Sequence, residues 1–186
     1  PGLETSDEEM LRMYYAFLRG AARSFNGYWG TSIYGQCEPA IRWTAVRLAY
    51  DMGARCIWYR TSDLDHHLPW TEQLRLTRQL MQYREEQPPR DLDALLHEGK
   101  VAIAFPPGYT LAWDQLHNNP RFAFDKLNPE GATYRDVITS ALWEGLVCAK
   151  DGTPFDFTVQ HAGLDSLGYD AIVRVREDGG VTRSPM

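Results

Sequence analysis

The stretch Gly35-Gln36-Cys37-Glu38-Pro39 sets a carboxylate beside a thiol, directly after the aromatic, β-branched residues 28–34. Either group is a nucleophile when an acid or base faces it. A second polar stretch, Ser62-Asp63-Leu64-Asp65-His66-His67, follows a second aromatic run, Ile57-Trp58-Tyr59. Asp63 and His66 suit hydrogen bonding to a polar substrate. A metal site is not expected there, since adjacent histidines in a loop rarely converge on one ion. Trp29, Tyr34, Trp58 and Trp70 flank both stretches. Trp and Tyr combine a large apolar face with a polar handle, the chemistry that stacks on a sugar ring.

Each of these residues also has an ordinary structural use. A Glu just before a proline puts negative charge at a helix N-terminus. Asp63 can cap a solvated turn, and tryptophans fill cores. Cys37 has a sharper alternative. A strand, a tight turn carrying a central Cys and then a helix resembles a nucleophile elbow, with His66 or His67 as base. That arrangement would make a thiol hydrolase or amidotransferase, but Glu38-Pro39 stands where the elbow's second glycine belongs.

The elements that must position these groups follow from spacing. Ser6-Asp7-Glu8-Glu9 is a capping box, and Met10, Tyr14, Phe17, Leu18 and Ala21 recur at helical intervals behind it, which predicts a helix over about 7–24. Strands are expected at 28–34 and 55–60, with a helix between them at about 39–52. Another helix runs from about 70 to 86, where Pro88-Pro89 forbids continuation. Strands separated by helices pair in parallel through right-handed crossovers, and parallel α/β folds do chemistry at the carboxyl ends of their strands. The stretches 35–38 and 62–67, and a third at Pro106-Pro107-Gly108-Tyr109, sit at such ends.

Beyond 88 the pattern restarts, which sets an expected division into residues 1–88 and 89–186. Residues 100–105 (KVAIAF) read as a strand covered on both faces. A helix is expected over about 133–149, strands at 155–159 and 169–175, and a short helix at 164–167. The tail REDGGVTRSPM reads as frayed or cut, with Gly179-Gly180 as a hairpin or tail turn.

Composition narrows the function. The chain has 186 residues, 44% of them hydrophobic, and a net charge of −6. No basic stripe is available to neutralise phosphates, which argues against nucleic acid and against an anionic membrane surface. No apolar run approaches the roughly 20 residues that cross a bilayer. The glycines at 27, 30 and 35 do not form a dinucleotide fingerprint, so no nucleotide cofactor is expected. The 3 cysteines form no metal-binding pair.

Taken together, Leu18-Arg19-Gly20-Ala21, the strand with Trp29-Gly30, Glu38 before a helix and Ile57-Trp58-Tyr59 resemble the last two β/α units of a (β/α)8-barrel glycoside hydrolase of the retaining β-galactosidase-like type. KVAIAF, Gly152-Thr153-Pro154-Phe155-Asp156 and Tyr169-Asp170-Ala171-Ile172-Val173 are similar to the amidotransferase-like domain that follows such barrels, a small Rossmann- or flavodoxin-like parallel sheet. The resemblance implies a carbohydrate substrate, Glu38 as nucleophile, and an acid/base Glu upstream of this chain, so the chain alone is expected to be inactive. Trp29, Tyr34, Trp58, Asp63 and His66 are then the expected substrate contacts. The uncovered strand edges call for upstream barrel sequence or self-association. A non-catalytic sugar-binding or subunit-contact module is the other reading of the same residues.

Overall fold

The computed structural model describes residues 5–35, 37–61, 67–107 and 129–185. Ser6 opens the first helix reciprocally: its hydroxyl accepts from the Glu9 amide at 3.2 Å while the Glu9 carboxylate accepts from the Ser6 amide at 2.7 Å. Helix α1 (Asp7–Ser24) leads to strand β1 (Gly30–Ile33), helix α2 (Arg42–Asp51), strand β2 (Cys56–Tyr59) and helix α3 (Trp70–Glu86). A five-residue helix α4 (Leu92–Leu96), which the spacing does not predict, starts where Asp91 accepts from the amides of Asp93 and Ala94. Strand β3 (Val101–Phe105), helix α5 (Pro129–Lys150), strand β4 (Phe155–Val159), a 3-10 turn (Leu164–Ser166) and strands β5 (Ala171–Val175) and β6 (Val181–Pro185) complete the order.

Strands β1 and β2 form a two-stranded parallel sheet, with Gly30 opposite Cys56 and Ile33 opposite Tyr59. A β-carbon on Gly30 would overlap the Cys56 side chain and carbonyl, so only glycine lets the two strands meet there. The second sheet has the order β4-β3-β5-β6. Strands β4 and β5 flank β3 in parallel, and β6 closes the edge antiparallel to β5. The molecule is thus α/β with mixed sheets of mostly parallel strands.

The tail departs from expectation. Residues 181–185 are a strand and not a frayed end. The turn before them is built by Asp178, whose carboxylate accepts from the Gly180 amide at 2.8 Å, and by Gly179 at φ +77°. An edge strand has one free side, so its polar residues and terminal proline are tolerated.

Helix α1 touches both halves of the chain. Met13 and Ala16 join Ile103, Phe105, Val137, Ala141 and Phe157 in one core, while Tyr15 and Ala22 join Trp29, Leu48, Ala49 and Met52 in another. Between those cores lies a buried charge network. Arg19 donates to Asp156 at 2.7 Å, to Glu98 at 2.9 Å and to the Phe155 carbonyl at 3.1 Å. Arg23 donates to the carbonyls of Gly99 and Leu167 and lies 3.7 Å over the Tyr169 ring, whose hydroxyl donates to Asp156 at 3.1 Å. Asp156 is 0% and Arg19 2% exposed, so the pair is tolerated only because its donors and acceptors are used within the network.

Candidate functional site

Parallel pairing brings the ends of β1 and β2 to one rim. The ladder runs one step past the strands, since the Arg60 amide donates to the Ile33 carbonyl at 3.0 Å. Tyr34 and Arg60 therefore leave side by side, with the Arg60 guanidinium 5.5 Å from the Tyr34 ring centre. A tight turn follows β1, closed by the Cys37 amide donating to the Tyr34 carbonyl at 3.0 Å.

Arg42, the first residue of α2, clamps this turn by donating to the carbonyls of Cys37 at 2.9 Å and Gly35 at 2.7 Å. Its remaining charge meets Glu72 of α3 at 3.7 Å. Bonds from Arg75, assisted by the charge of Arg42, hold the Glu72 carboxyl below its usual value. The turn bearing Glu38 is thus fixed by two helix starts. The loop after β2 is closed at its base, where the Leu68 amide donates to the Arg60 carbonyl at 2.9 Å and Gln73 donates to the Leu68 carbonyl at 2.6 Å.

Glu38 stands exposed on this rim, and among the described residues no hydrogen bond or ion pair holds its carboxylate. Its carbonyl accepts from the Ile41 amide at 3.0 Å, and α2 begins only at Arg42, with no acidic residue in its first turn. Glu38 thus stands ahead of α2, separated from its first residue by the turn at 39–41.

Tyr34 is exposed at the rim, and Trp58 is 51% exposed on the sheet face opposite the helices. Trp29 lies apart from them. It sits before β1, at the far end of the strand, buried with its ring 5.6 Å from Tyr15. Its indole N–H has no partner there, among the described residues. Asp63 and His66 lie outside the described residues, as do Tyr109 and Trp113. Trp70, at the amino end of α3, is exposed.

The thiol reading fares differently. Burial, and secondarily Glu38, push the Cys37 thiol up, with Arg42 opposing. A thiol nucleophile needs the reverse. Cys148 is raised by burial as well, within the core under α5. No cluster of three metal-ligating side chains exists among the described residues.

Three residues of the rim escaped the sequence reading: Arg42, Arg60 and Glu72. Arg42 carried a signal. A cation in the first turn of a helix opposes the helix dipole, and its presence there marks a specific local partner. Arg19, Arg23 and Asp156 carried another, as lone charges on an apolar helix face and inside an apolar strand.

The fold and the rim define an α/β chain whose carboxyl-end edge bears, among the described residues, the exposed carboxylate of Glu38 and exposed aromatic rings. Searches against protein-family models, curated proteins and solved structures found no match to it. No helix among the described residues is long and apolar enough to cross a membrane.

Proposed function

We infer that residues 1–88 are the last two β/α units of a barrel from a carbohydrate-active hydrolase of the retaining β-glycosidase type, with Glu38 as its nucleophile. Residues 89–186 are, in this reading, the accompanying amidotransferase-like α/β domain. The observation that carries the reading is the disposition of β1 and β2. Two parallel strands have helices on one face, Trp58 on the other, and Tyr34 and Glu38 at a shared carboxyl-end rim. Barrel units place interior side chains and catalytic groups in this way. The acid/base carboxyl belongs to upstream sequence, and ordinary glycosides, whose leaving oxygen must be protonated, are not turned over by the chain alone.

An activated donor removes that requirement. With a dinitrophenyl 2-deoxy-2-fluoro-β-galactoside, Glu38 attacks the anomeric carbon, dinitrophenolate leaves without protonation, and the fluorine slows hydrolysis of the sugar ester. The expected result is release of up to about one equivalent of dinitrophenolate. Peptide mass spectrometry should find the adduct on Glu38, and Glu38→Gln should abolish it. Labelling on another residue, or none on Glu38 in chain verified as folded, would overturn the nucleophile assignment. If such a chain still shows sugar-dependent quenching of Trp58 fluorescence, the non-catalytic binding module replaces it.

A further inference from the structure

Strand β2 turns its side chains alternately to two faces. Ile57 and Tyr59 join the core under α2 and α3, so Cys56, Trp58 and Arg60 point to the open face, and all three are exposed. The alternation reaches Arg60 because the ladder does, its amide still donating to the Ile33 carbonyl. On β1, Ile33 is buried toward the helices, which sets Tyr34 on the open face opposite Arg60. Tyr34 and Arg60 thus stand one alternation above Trp58, at the carboxyl-end rim that carries Glu38.

Arg60 differs from the other cations of this region. Arg42 is held by two carbonyls and by Glu72, and Arg75 by two bonds to Glu72. The Arg60 guanidinium lies over the Tyr34 ring and meets, among the described residues, neither a carboxylate nor a hydrogen-bond acceptor. A guanidinium presents its N–H donors in a planar fork that matches a carboxylate, so one left without an acid at a binding rim suits a ligand that brings its own. The chain as a whole does not favour anions. Its net charge is −6 and Glu38 stands on the same rim, so an acidic ligand there needs a local cation.

We propose that Arg60 sets the substrate class: the glycoside taken at this rim is an acidic sugar, with a carboxylate or sulfate at C6, whose anion pairs with the Arg60 guanidinium while the sugar ring lies against Tyr34 and Trp58. The inference rests on the glycosidase reading and adds to it a preference that a neutral β-galactoside does not meet. The C6 group lies next to the ring oxygen that adjoins the anomeric carbon, so its receptor belongs on the same rim as the nucleophile. Tyr34 and Trp58 supply the apolar contact that acidic and neutral sugars share, and Arg60 the contact that separates them.

The test uses the whole chain, checked as folded by circular dichroism, and calorimetric titration with methyl β-galacturonide, methyl β-galactoside 6-sulfate and methyl β-galactoside. An acidic sugar should bind at least about tenfold more tightly than the neutral one, as a single charge-assisted pair implies, and the advantage should shrink as salt rises. The tighter of the two acidic sugars identifies the anion. Arg60→Gln should bring its affinity down to that of the neutral sugar, and Arg60→Lys, which keeps the charge but loses the fork, should retain part of the advantage. Equal affinity for acidic and neutral sugars, no binding of either acidic sugar at millimolar concentration, or an advantage that survives Arg60→Gln would each overturn the inference. The nucleophile is read separately, with the dinitrophenyl 2-deoxy-2-fluoro donor of the tighter acidic sugar beside that of galactose. Adduct forming on Glu38 at the same rate with both overturns the role of Arg60 and leaves Glu38 as nucleophile. An Arg60-dependent preference in binding with no adduct on Glu38 removes the nucleophile and leaves the acidic-sugar site.

Discussion

Cys37 and Glu38 are neighbours in sequence with opposite surroundings. The thiol is half-buried and raised by desolvation, while the carboxylate is exposed with no partner among the described residues. At neutral pH, iodoacetamide should therefore modify the exposed Cys56 well before Cys37, and the Cys37 rate should rise only above the ordinary thiol range near about pH 8.5. Peptide mapping over pH 7 to 10 measures this, and Cys37 reacting first would restore the thiol hypothesis. A different single residue controls the buried network. Replacing Asp156 with Asn keeps the shape but leaves Arg23 without its carboxylate and Arg19 with Glu98 alone. The expected loss is about 3–5 kcal/mol in urea unfolding, since breaking a buried pair strands a desolvated charge.

At the scale of elements, α1 decides how the chain packs. Gly20 faces the β4 backbone so closely that a β-carbon would overlap the Phe157 carbonyl oxygen. On an open helix face, Gly→Ala gains about 1 kcal/mol. Here Gly20→Ala should instead destabilise by about 1–3 kcal/mol, because the obstacle is backbone and cannot rotate away; a raised melting temperature would contradict the packing. The strands at 155–159 and the helices at 7–24 and 70–86 match their predicted spans, because a capping box, a Pro-Pro stop and apolar periodicity act locally. Helix α2 starts later than predicted, at Arg42, since residues 39–41 form a turn ahead of it, while the Arg42 side chain reaches back to the carbonyls of Gly35 and Cys37. Strand β6 was not legible because an edge strand needs no apolar alternation. The rim was half legible: Glu38 and Tyr34 follow from position after a strand, but the clamp by Arg42 and Glu72 joins residues 30 apart.

For the whole molecule, buried phenols set an alkaline limit. Burial pushes both Tyr15 and Tyr169 above their usual value, with Cys37 adding for the first and Asp156 for the second. The folded chain thus holds protons that the unfolded chain releases above about pH 10, and stability falls as pH rises through that value. The slope should be about 1.4 kcal/mol per pH unit for each tyrosine. Tyr169→Phe should flatten the fall in a series of urea titrations from pH 9 to 11, and an unchanged slope would count against a buried, protonated Tyr169.

The sequence by itself determined the elements that are written locally: helix caps, proline stops, apolar periodicity, and the parallel pairing that follows when a helix joins two strands. Only the tertiary structure decided that Trp29 turns into the core while Trp58 faces outward, and that α1 rather than either sheet ties the halves together through Arg19 and Asp156. The reason is physical. Burial and charge pairing depend on what lies opposite in space, and Arg19 meets a carboxylate 137 residues away that no local pattern announces.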